Sequence, residues 1–167
     1  RLGADDVTYL MRAEEHPFTP DRNARDRLSF LDCFPMEYPT GGVGDFRESA
    51  IVVRSNGGHR ALQLTLDSYR IYKGKKPLDG LPATWGSEED TETLELVLTD
   101  TVLQLKAVLS YSIFDGIDAV VRSVKLYNES SEPLFIERIM SASMDMDNRE
   151  YDKILLTGSW ARERHIN

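Results

Sequence analysis

Apolar residues recur at every second position through much of this chain, and this alternation limits the fold more than any other feature. A period of two places successive side chains on opposite faces of a strand, so that one face packs inward. The clearest runs are Leu94, Leu96 and Leu98, followed by Leu103, Leu105, Ala107, Leu109, Tyr111 and Ile113. No stretch carries a helical apolar stripe long enough for a βαβ unit, so the pattern predicts an antiparallel sandwich or barrel.

Shorter runs of the same kind predict the remaining strands. Strands of about ten residues are typical of large, twisted sheets rather than of a small immunoglobulin-sized module. The additional strands are predicted at 51–53, 62–66, 69–74, 119–127, 134–143 and 153–157. We therefore expect at least five strands, joined mostly by short loops.

Turn-forming residues predict where the strands reverse. Asn56–Gly58 can supply positive φ angles for a tight turn, and the step from Asp100 to Thr101 predicts a second one. Four Pro and Gly residues within 75–90 predict a long surface loop. Residues 1–30 mix charges with prolines and show no sustained period, which predicts an irregular lead-in.

Composition excludes several classes of partner. The chain has 167 residues and a formal net charge of −8, with its cations scattered, so we expect one domain and no nucleic-acid partner. A lone cysteine, Cys33, cannot form an internal disulfide. No apolar run approaches the roughly 20 residues that cross a bilayer, so we expect no membrane partner. The chain does not begin with Met, and we expect residues before Arg1.

No motif predicts a metal or a cofactor. Asp145 and Asp147 open like a calcium loop, but the later ligand positions hold Arg149, Glu150 and Leu156. The three histidines, His16, His59 and His165, lack partners at metal-ligand spacing. Gly41–Gly44 is not followed by the lysine of a phosphate-binding loop, and Ser159 is not in a nucleophile elbow. We predict neither cofactor nor metal.

Two tryptophans and several aspartates are candidates for sugar binding or hydrolysis. Hydrolysis of a glycosidic bond needs two carboxylates that face each other across a cleft, and nothing in the sequence pairs any two. Trp85 and Trp160 suit either stacking on a sugar ring or anchoring one domain on the next.

Five motifs, occurring in one order, carry a family resemblance. They are Tyr38–Pro39 through Gly44–Arg47, Gly80–Thr84, Leu109–Phe114 with Asp118–Ala119, Arg122–Val124, and Gly158–Arg164. Together they resemble the amino-terminal region of bacterial-type α-galactosidases of glycoside hydrolase family 36, over nearly the whole chain.

The resemblance implies a large β-sandwich, often called a supersandwich, packed against a (β/α)₈ barrel that carries catalysis. It further implies that residues 1–167 form part of one amino-terminal domain, incomplete here, and that the barrel is absent from this chain. In such enzymes two aspartates of the barrel cleave terminal α-linked galactose of melibiose or raffinose by a retaining mechanism. No aspartate of this chain lies in a matching motif, so we expect it to be inactive alone.

The resemblance also implies partners: the barrel of the same polypeptide, other copies in a tetramer, and α-galactoside sugars. It implies a bacterial, cytoplasmic protein. Two clusters are the candidates for domain or subunit contact or for the rim of an active site, although a local Asp–Arg pair would also stabilise a turn. They are Asp45, Phe46 and Arg47, and Trp160, Arg162 and Arg164.

Two functions of different classes remain. An accessory sandwich of a galactoside hydrolase should leave apolar surface exposed where its partners pack. An autonomous carbohydrate-binding module should instead have a complete core and an exposed aromatic platform with polar neighbours. A third and weaker alternative is a mutarotase-like enzyme, which would need a histidine and a carboxylate on one concave sheet.

Overall fold

The computed structural model of the chain describes residues 36–42, 48–144, 152 and 154–166. These residues form eight strands and, within those ranges, no helix. The strands are β1 (Ile51–Ser55), β2 (Thr65–Lys73), β3 (Thr91–Asp100), β4 (Leu105–Phe114), β5 (Ile117–Asn128), β6 (Leu134–Ile139), β7 (Leu156–Ser159) and β8 (Arg162–Ile166). The predicted all-β fold is confirmed.

The strands make three antiparallel sheets. Strands β2, β3, β4 and β5 form a four-stranded sheet in sequence order. Strand β1 pairs with β6, which follows the whole meander in the chain. Strands β7 and β8 form a separate hairpin. The first two sheets lie face to face, because the core is built from side chains of both.

One face of the four-stranded sheet is apolar and carries the core. Cross-strand register places Leu96 opposite Leu109, and Leu109 opposite Val124, all on this face. Ile51 and Val53 of β1 pack against it from the second sheet. The alternation in β3 and β4 follows from this packing, since every second residue is removed from water.

The opposite face is rich in hydroxyl and charged groups. Thr93 and Ser112 are buried there, with their hydroxyl oxygens 2.8 Å apart. Thr93 also donates to the carbonyl of Gly74, 2.7 Å away, where the loop after β2 begins. The start of this 74–90 loop therefore lies over the polar face.

Asp100 explains both a confirmed turn and a wrong strand boundary. Its carboxylate accepts hydrogen bonds from the amides of Val102 (2.9 Å) and Leu103 (2.7 Å), which closes the β3–β4 turn. It also accepts from the amide of Gln63 at 2.7 Å. The backbone around Leu62 therefore bonds to a side chain instead of a neighbouring strand, and β2 begins only at Thr65. The prediction of a strand from residue 62 was wrong for 62–64.

Two other boundaries also differ from the prediction. Strand β6 ends at Ile139, before the predicted end at residue 143, and the amide of Met140 makes one further bond in the same register, to the carbonyl of Ala50 at 2.9 Å. The last predicted strand, 153–157, is shifted to Leu156–Ser159 and pairs with β8, for which no strand was predicted. The reversal at Asn56–Gly58 and the long 75–90 loop are confirmed. The predicted lead-in lies outside the described residues.

Candidate functional site

The first candidate cluster, Asp45, Phe46 and Arg47, lies outside the described residues, but both flanks are held against the core. The amide of Ala50 donates to Pro39 (2.8 Å), and that of Leu62 donates to Gly41 (3.2 Å). Gly42 has a φ of 92°, and a Cβ atom there would lie 2.8 Å from the Cβ of Ala61. Glycine is therefore required at position 42, immediately before the segment that contains the first cluster.

The second cluster lies on the β7–β8 hairpin. Ser159 pairs with Arg162 across a two-residue turn made by Trp160 and Ala161. Ala161 has a φ of 63°, and its amide donates to the carboxylate of Glu163 at 3.0 Å. A Cβ atom on Gly158 would lie 2.3 Å from the carbonyl oxygen of Arg162, so only glycine permits this close pairing.

The hairpin projects its side chains into solvent. Trp160 is 94% exposed, and the side chains of Arg162 and Arg164 form no hydrogen bond or ion pair with any residue in the described part of the chain. The hairpin has no substantial contact with the other described strands. Four more large apolar side chains are exposed on or beside it: Ile154, Leu155, Leu156 and Ile166. Since an isolated two-stranded hairpin is marginally stable in water, this element needs a partner surface.

A third cluster, missed by the sequence analysis, joins Glu37, Tyr111 and Arg122. The Arg122 guanidinium bonds to the Tyr111 hydroxyl at 2.9 Å and to the Glu37 carboxylate at 3.0 Å. Its Cζ atom also lies 4.7 Å from the centre of the Tyr111 ring. A third bond, at 3.3 Å, reaches the carbonyl of Ser143. The cluster therefore connects the segment before β1 and the segment after β6 to the four-stranded sheet.

This cluster lies in a cleft of about 520 Å³ at the open end of the apolar face. Burial, followed by the hydrogen bond to Glu37, raises the pKa of Tyr111, so its phenol stays protonated and donates to that carboxylate. Tyr111 and Arg122 both fall within motifs already singled out. Their contact became visible only through strand register, and Glu37 is distant in sequence, so spacing gave no signal.

A fourth cluster lies on the polar face, where Glu95 bonds to Arg70 and Tyr72. The Tyr72 hydroxyl donates to the Glu95 carboxylate at 2.9 Å, and the Arg70 Nε donates at 2.6 Å. Burial tends to raise the pKa of Glu95, but these two donors lower it below its usual value. Burial and the bond to Glu95 raise the pKa of Tyr72 to about 12. Glu95 is therefore an ionised carboxylate with a structural role, in which Arg70 balances its charge, rather than a proton donor.

Among the described residues, each of three clefts is lined by one carboxylate. Glu37 lines the 520 Å³ cleft, and Glu95 lines a small cavity of about 40 Å³ beneath the start of the 74–90 loop. Glu88 lines an open depression of about 670 Å³ beside that loop. Glycoside hydrolysis uses a facing pair of carboxyl groups, and the described lining of these clefts does not supply such a pair.

The described residues also lack a metal cluster. Within them, no three His, Cys, Asp or Glu side chains are grouped so that they could hold a metal ion. His59 is exposed, and the side chains of His16 and His165 are not described. The aspartates of the rejected calcium loop lie outside the described ranges. Among the described residues, no helix is long and apolar enough to span a membrane.

The chain is similar in sequence to curated proteins that are named as α-galactosidases. The chain is 39% identical to the α-galactosidase AgaA of Geobacillus stearothermophilus over 153 residues, which cover 91% of this chain and 21% of that protein. It is 45% identical to the probable α-galactosidase C of Aspergillus terreus over 129 residues, or 77% of this chain and 17% of that protein. The chain thus spans about a fifth of the length of these relatives.

Solved structures agree in fold. The crystal structure of AgaA from Geobacillus stearothermophilus matches the whole chain with a TM-score of 0.81 and 36% identity, over 23% of its own length. A variant of AgaA in complex with raffinose matches with a TM-score of 0.79 at 39% identity, over 91% of this chain and 21% of its own. Residues 5–167 match the family model described as the glycosyl hydrolase family 36 N-terminal domain. The chain belongs to this family of β-sandwich domains.

Proposed function

We propose that this chain is the non-catalytic amino-terminal β-sandwich of an α-galactosidase. The whole protein would hydrolyse terminal, non-reducing α-D-galactose residues of galactosides such as melibiose and raffinose, with retention of configuration. Residues 1–167 would form part of one domain that braces a (β/α)₈ barrel elsewhere in the polypeptide. The observation that carries this proposal is the coverage: the chain matches about a fifth of the α-galactosidase AgaA, and the family model that it matches is that of an N-terminal domain.

The exposed part of the apolar sheet face supports an accessory role. Tyr69 and Ile71 of β2 lie on the same face as the core residues of β3, and Ile113 and Val120 form a cross-strand pair on that face. All four side chains are exposed, because the two-stranded sheet covers only part of this face. Apolar surface continuous with a core is typical of a surface that another element covers.

The β7–β8 hairpin is the proposed contact with a barrel or a neighbouring subunit. Its exposed tryptophan and its two arginine side chains, which have no partner among the described residues, suit an interface, in which Trp and Arg are the preferred anchors. We assign the same role to Asp45, Phe46 and Arg47, and we propose that the whole protein assembles as a tetramer. Size-exclusion chromatography with light scattering of the whole protein and of Trp160→Ala tests both parts. An unchanged tetramer in Trp160→Ala would remove the hairpin from the subunit interface.

An enzyme assay tests the proposed function. The whole polypeptide should hydrolyse a chromogenic α-galactoside, whereas residues 1–167 alone should show no turnover. Titration calorimetry of residues 1–167 with galactose, melibiose and raffinose should show no binding. Binding without turnover would favour the carbohydrate-binding module, and turnover by residues 1–167 would overturn the proposal.

We also propose a cytoplasmic location in a bacterium. The sequence supports this through its cysteine content, since one cysteine allows no internal disulfide and the fold has no need of an oxidising compartment. Fractionation of the native host, with α-galactosidase activity as the readout, tests the location.

A further inference from the structure

Trp85, near the base of the loop between β2 and β3, has a side chain in solvent and backbone hydrogen bonds on both sides. The indole is 90% exposed. Large aromatic side chains are seldom left so exposed without a partner, because an indole carries a large apolar area. The sequence analysis left Trp85 open between sugar stacking and domain anchoring.

The residues on either side of Trp85 are both bonded to Lys75, at the start of the loop. The Lys75 side-chain nitrogen donates to the carbonyl of Thr84 at 3.2 Å, and its amide donates to the carbonyl of Gly86 at 3.2 Å. The beginning and the end of the loop are thus joined by hydrogen bonds immediately before and after the tryptophan.

The end of the loop, residues 86–90, is also held against the sheet. A Cβ atom on Gly86 would lie 2.3 Å from the Thr91 hydroxyl, so Gly86 packs directly on the first residue of β3. The Asp90 carboxylate accepts from the Ser87 amide (2.8 Å) and the Thr91 hydroxyl (2.7 Å). These hydrogen bonds lower the pKa of Asp90, which keeps the carboxylate ionised as their acceptor.

We propose that Trp85 is an anchor that inserts its indole into an apolar slot on another domain of the same polypeptide. The proposal deepens the accessory role and rests on it, since it names the residue through which the sandwich would hold its partner. Because the backbone around Trp85 is already held, less conformational entropy is lost when its indole binds, and tryptophans are frequent hot spots of protein interfaces.

A protein slot fits the surroundings of Trp85 better than a sugar does. Sugar sites are concave and direct several polar groups at the ligand, whereas Trp85 lines none of the three clefts described above. Polar groups of the same loop, on Lys75, Ser87 and Asp90, are used in hydrogen bonds inside the loop. Leu81, another large apolar side chain of the loop, is also exposed.

The fluorescence of Trp85 within the whole polypeptide tests this proposal. The emission of wild type minus that of Trp85→Phe isolates the signal of this indole, whatever other tryptophans the protein contains. The emission should be blue-shifted and shielded from acrylamide in the absence of sugar. An emission that is red-shifted and fully quenched would overturn the proposal. Shielding that appears only after raffinose is added would also overturn it, in favour of a sugar platform.

A stability comparison provides the second arm. In the whole polypeptide, Trp85→Ala should separate the unfolding of the sandwich from the rest of the protein or lower its midpoint, as followed by scanning calorimetry. The matched control is Val102→Ala, at the opposite end of the sheet, where the side chain is 74% exposed. Equal calorimetric profiles of the two variants would contradict an anchor at Trp85.

Activity measured on the same samples separates the two proposals. α-Galactosidase turnover by the whole polypeptide, together with an exposed Trp85, would leave the proposed function intact and reject the anchor. A whole polypeptide without such turnover would reject the proposed function independently of the fluorescence result.

Discussion

The two-layered sandwich and the β7–β8 hairpin are both antiparallel, but they differ in what stabilises them. The sandwich buries Ile51, Val53, Leu105 and Leu109 between its two sheets. The hairpin exposes every described side chain of its two strands and turn. The sandwich therefore supplies its own core, whereas the hairpin depends on a surface outside the described residues.

The four-stranded sheet shows the same contrast on a single face. Leu109 is buried at the middle of β4, and Ile113, near the end of the same strand and on the same face, is exposed. Hydrophobic burial dominates folding free energy, so the covered part should unfold as a cooperative unit and the uncovered part should contribute little. Variants in the covered sandwich should therefore lose more stability than variants in exposed elements.

The largest effect is expected for Leu109→Ala. Removing a buried leucine leaves a cavity and should lower the free energy of unfolding by about 3 kcal/mol. The matched change in the hairpin, Leu156→Ala, should alter it by less than about 0.5 kcal/mol, because that side chain is exposed. Urea denaturation of residues 1–167 measures both. Similar losses in the two variants would mean that the hairpin is packed.

The next largest effect is expected for Arg122→Ala. This change removes the common partner of Glu37 and Tyr111, and should cost about 2 kcal/mol. The figure lies below that of a fully buried pair, since the Glu37 side chain is 56% exposed while that of Arg122 is 12% exposed. Arg162→Ala in the hairpin is the control and should be neutral in residues 1–167. Equal midpoints of chemical denaturation would contradict the role of the cluster.

Thr40→Val should stabilise the sandwich. The Thr40 hydroxyl is buried and has no hydrogen-bond partner among the described residues, so a methyl group in its place should increase the free energy of unfolding by about 1 kcal/mol. Thr93→Val is the control and should lower the free energy of unfolding, because that buried hydroxyl bonds to Gly74 and Ser112. Destabilisation by Thr40→Val in thermal unfolding would indicate that its hydroxyl has a partner.

The smallest effect is a change in pH dependence for Tyr72→Phe. Folding raises the pKa of Tyr72 from its ordinary value of 10.0 to about 12, so its contribution to stability is complete below pH 10 and is lost as the pH rises toward 12. The free energy of unfolding of Tyr72→Phe should therefore fall less steeply over that interval. That of Tyr69→Phe, a change at an exposed side chain of the same strand, should fall as in wild type. If plots of unfolding free energy against pH were parallel for all three proteins, the Tyr72–Glu95 bond would be excluded.

The class of the fold could be predicted because β3 and β4 each pack one apolar face on the core, and this packing is visible in the sequence as alternating apolar residues. The hairpin turn at Trp160–Ala161 could not be predicted, since neither residue type favours the positive φ that Ala161 adopts. Leu62 and Leu64 gave a false strand signal: their alternation was correct, but the amide between them bonds to Asp100.

The candidate site was less predictable than the fold. The sequence singled out Trp160, Arg162 and Arg164, but it could not place them on an isolated hairpin, because isolation is a property of tertiary contacts. The Glu37, Tyr111 and Arg122 cluster depends on the β4–β5 register and on a segment 74 residues away from Tyr111. The inactivity expected of this chain follows from the family resemblance and stays a prediction.

Amide hydrogen exchange, compared between the whole polypeptide and residues 1–167, shows whether another part of the polypeptide covers the hairpin. We expect β3 and β4 to be equally protected in both proteins, and β7 and β8 to be protected only in the whole polypeptide. Equal protection of the hairpin in both, or rapid exchange in both, would contradict the conclusion that the rest of the polypeptide completes this domain.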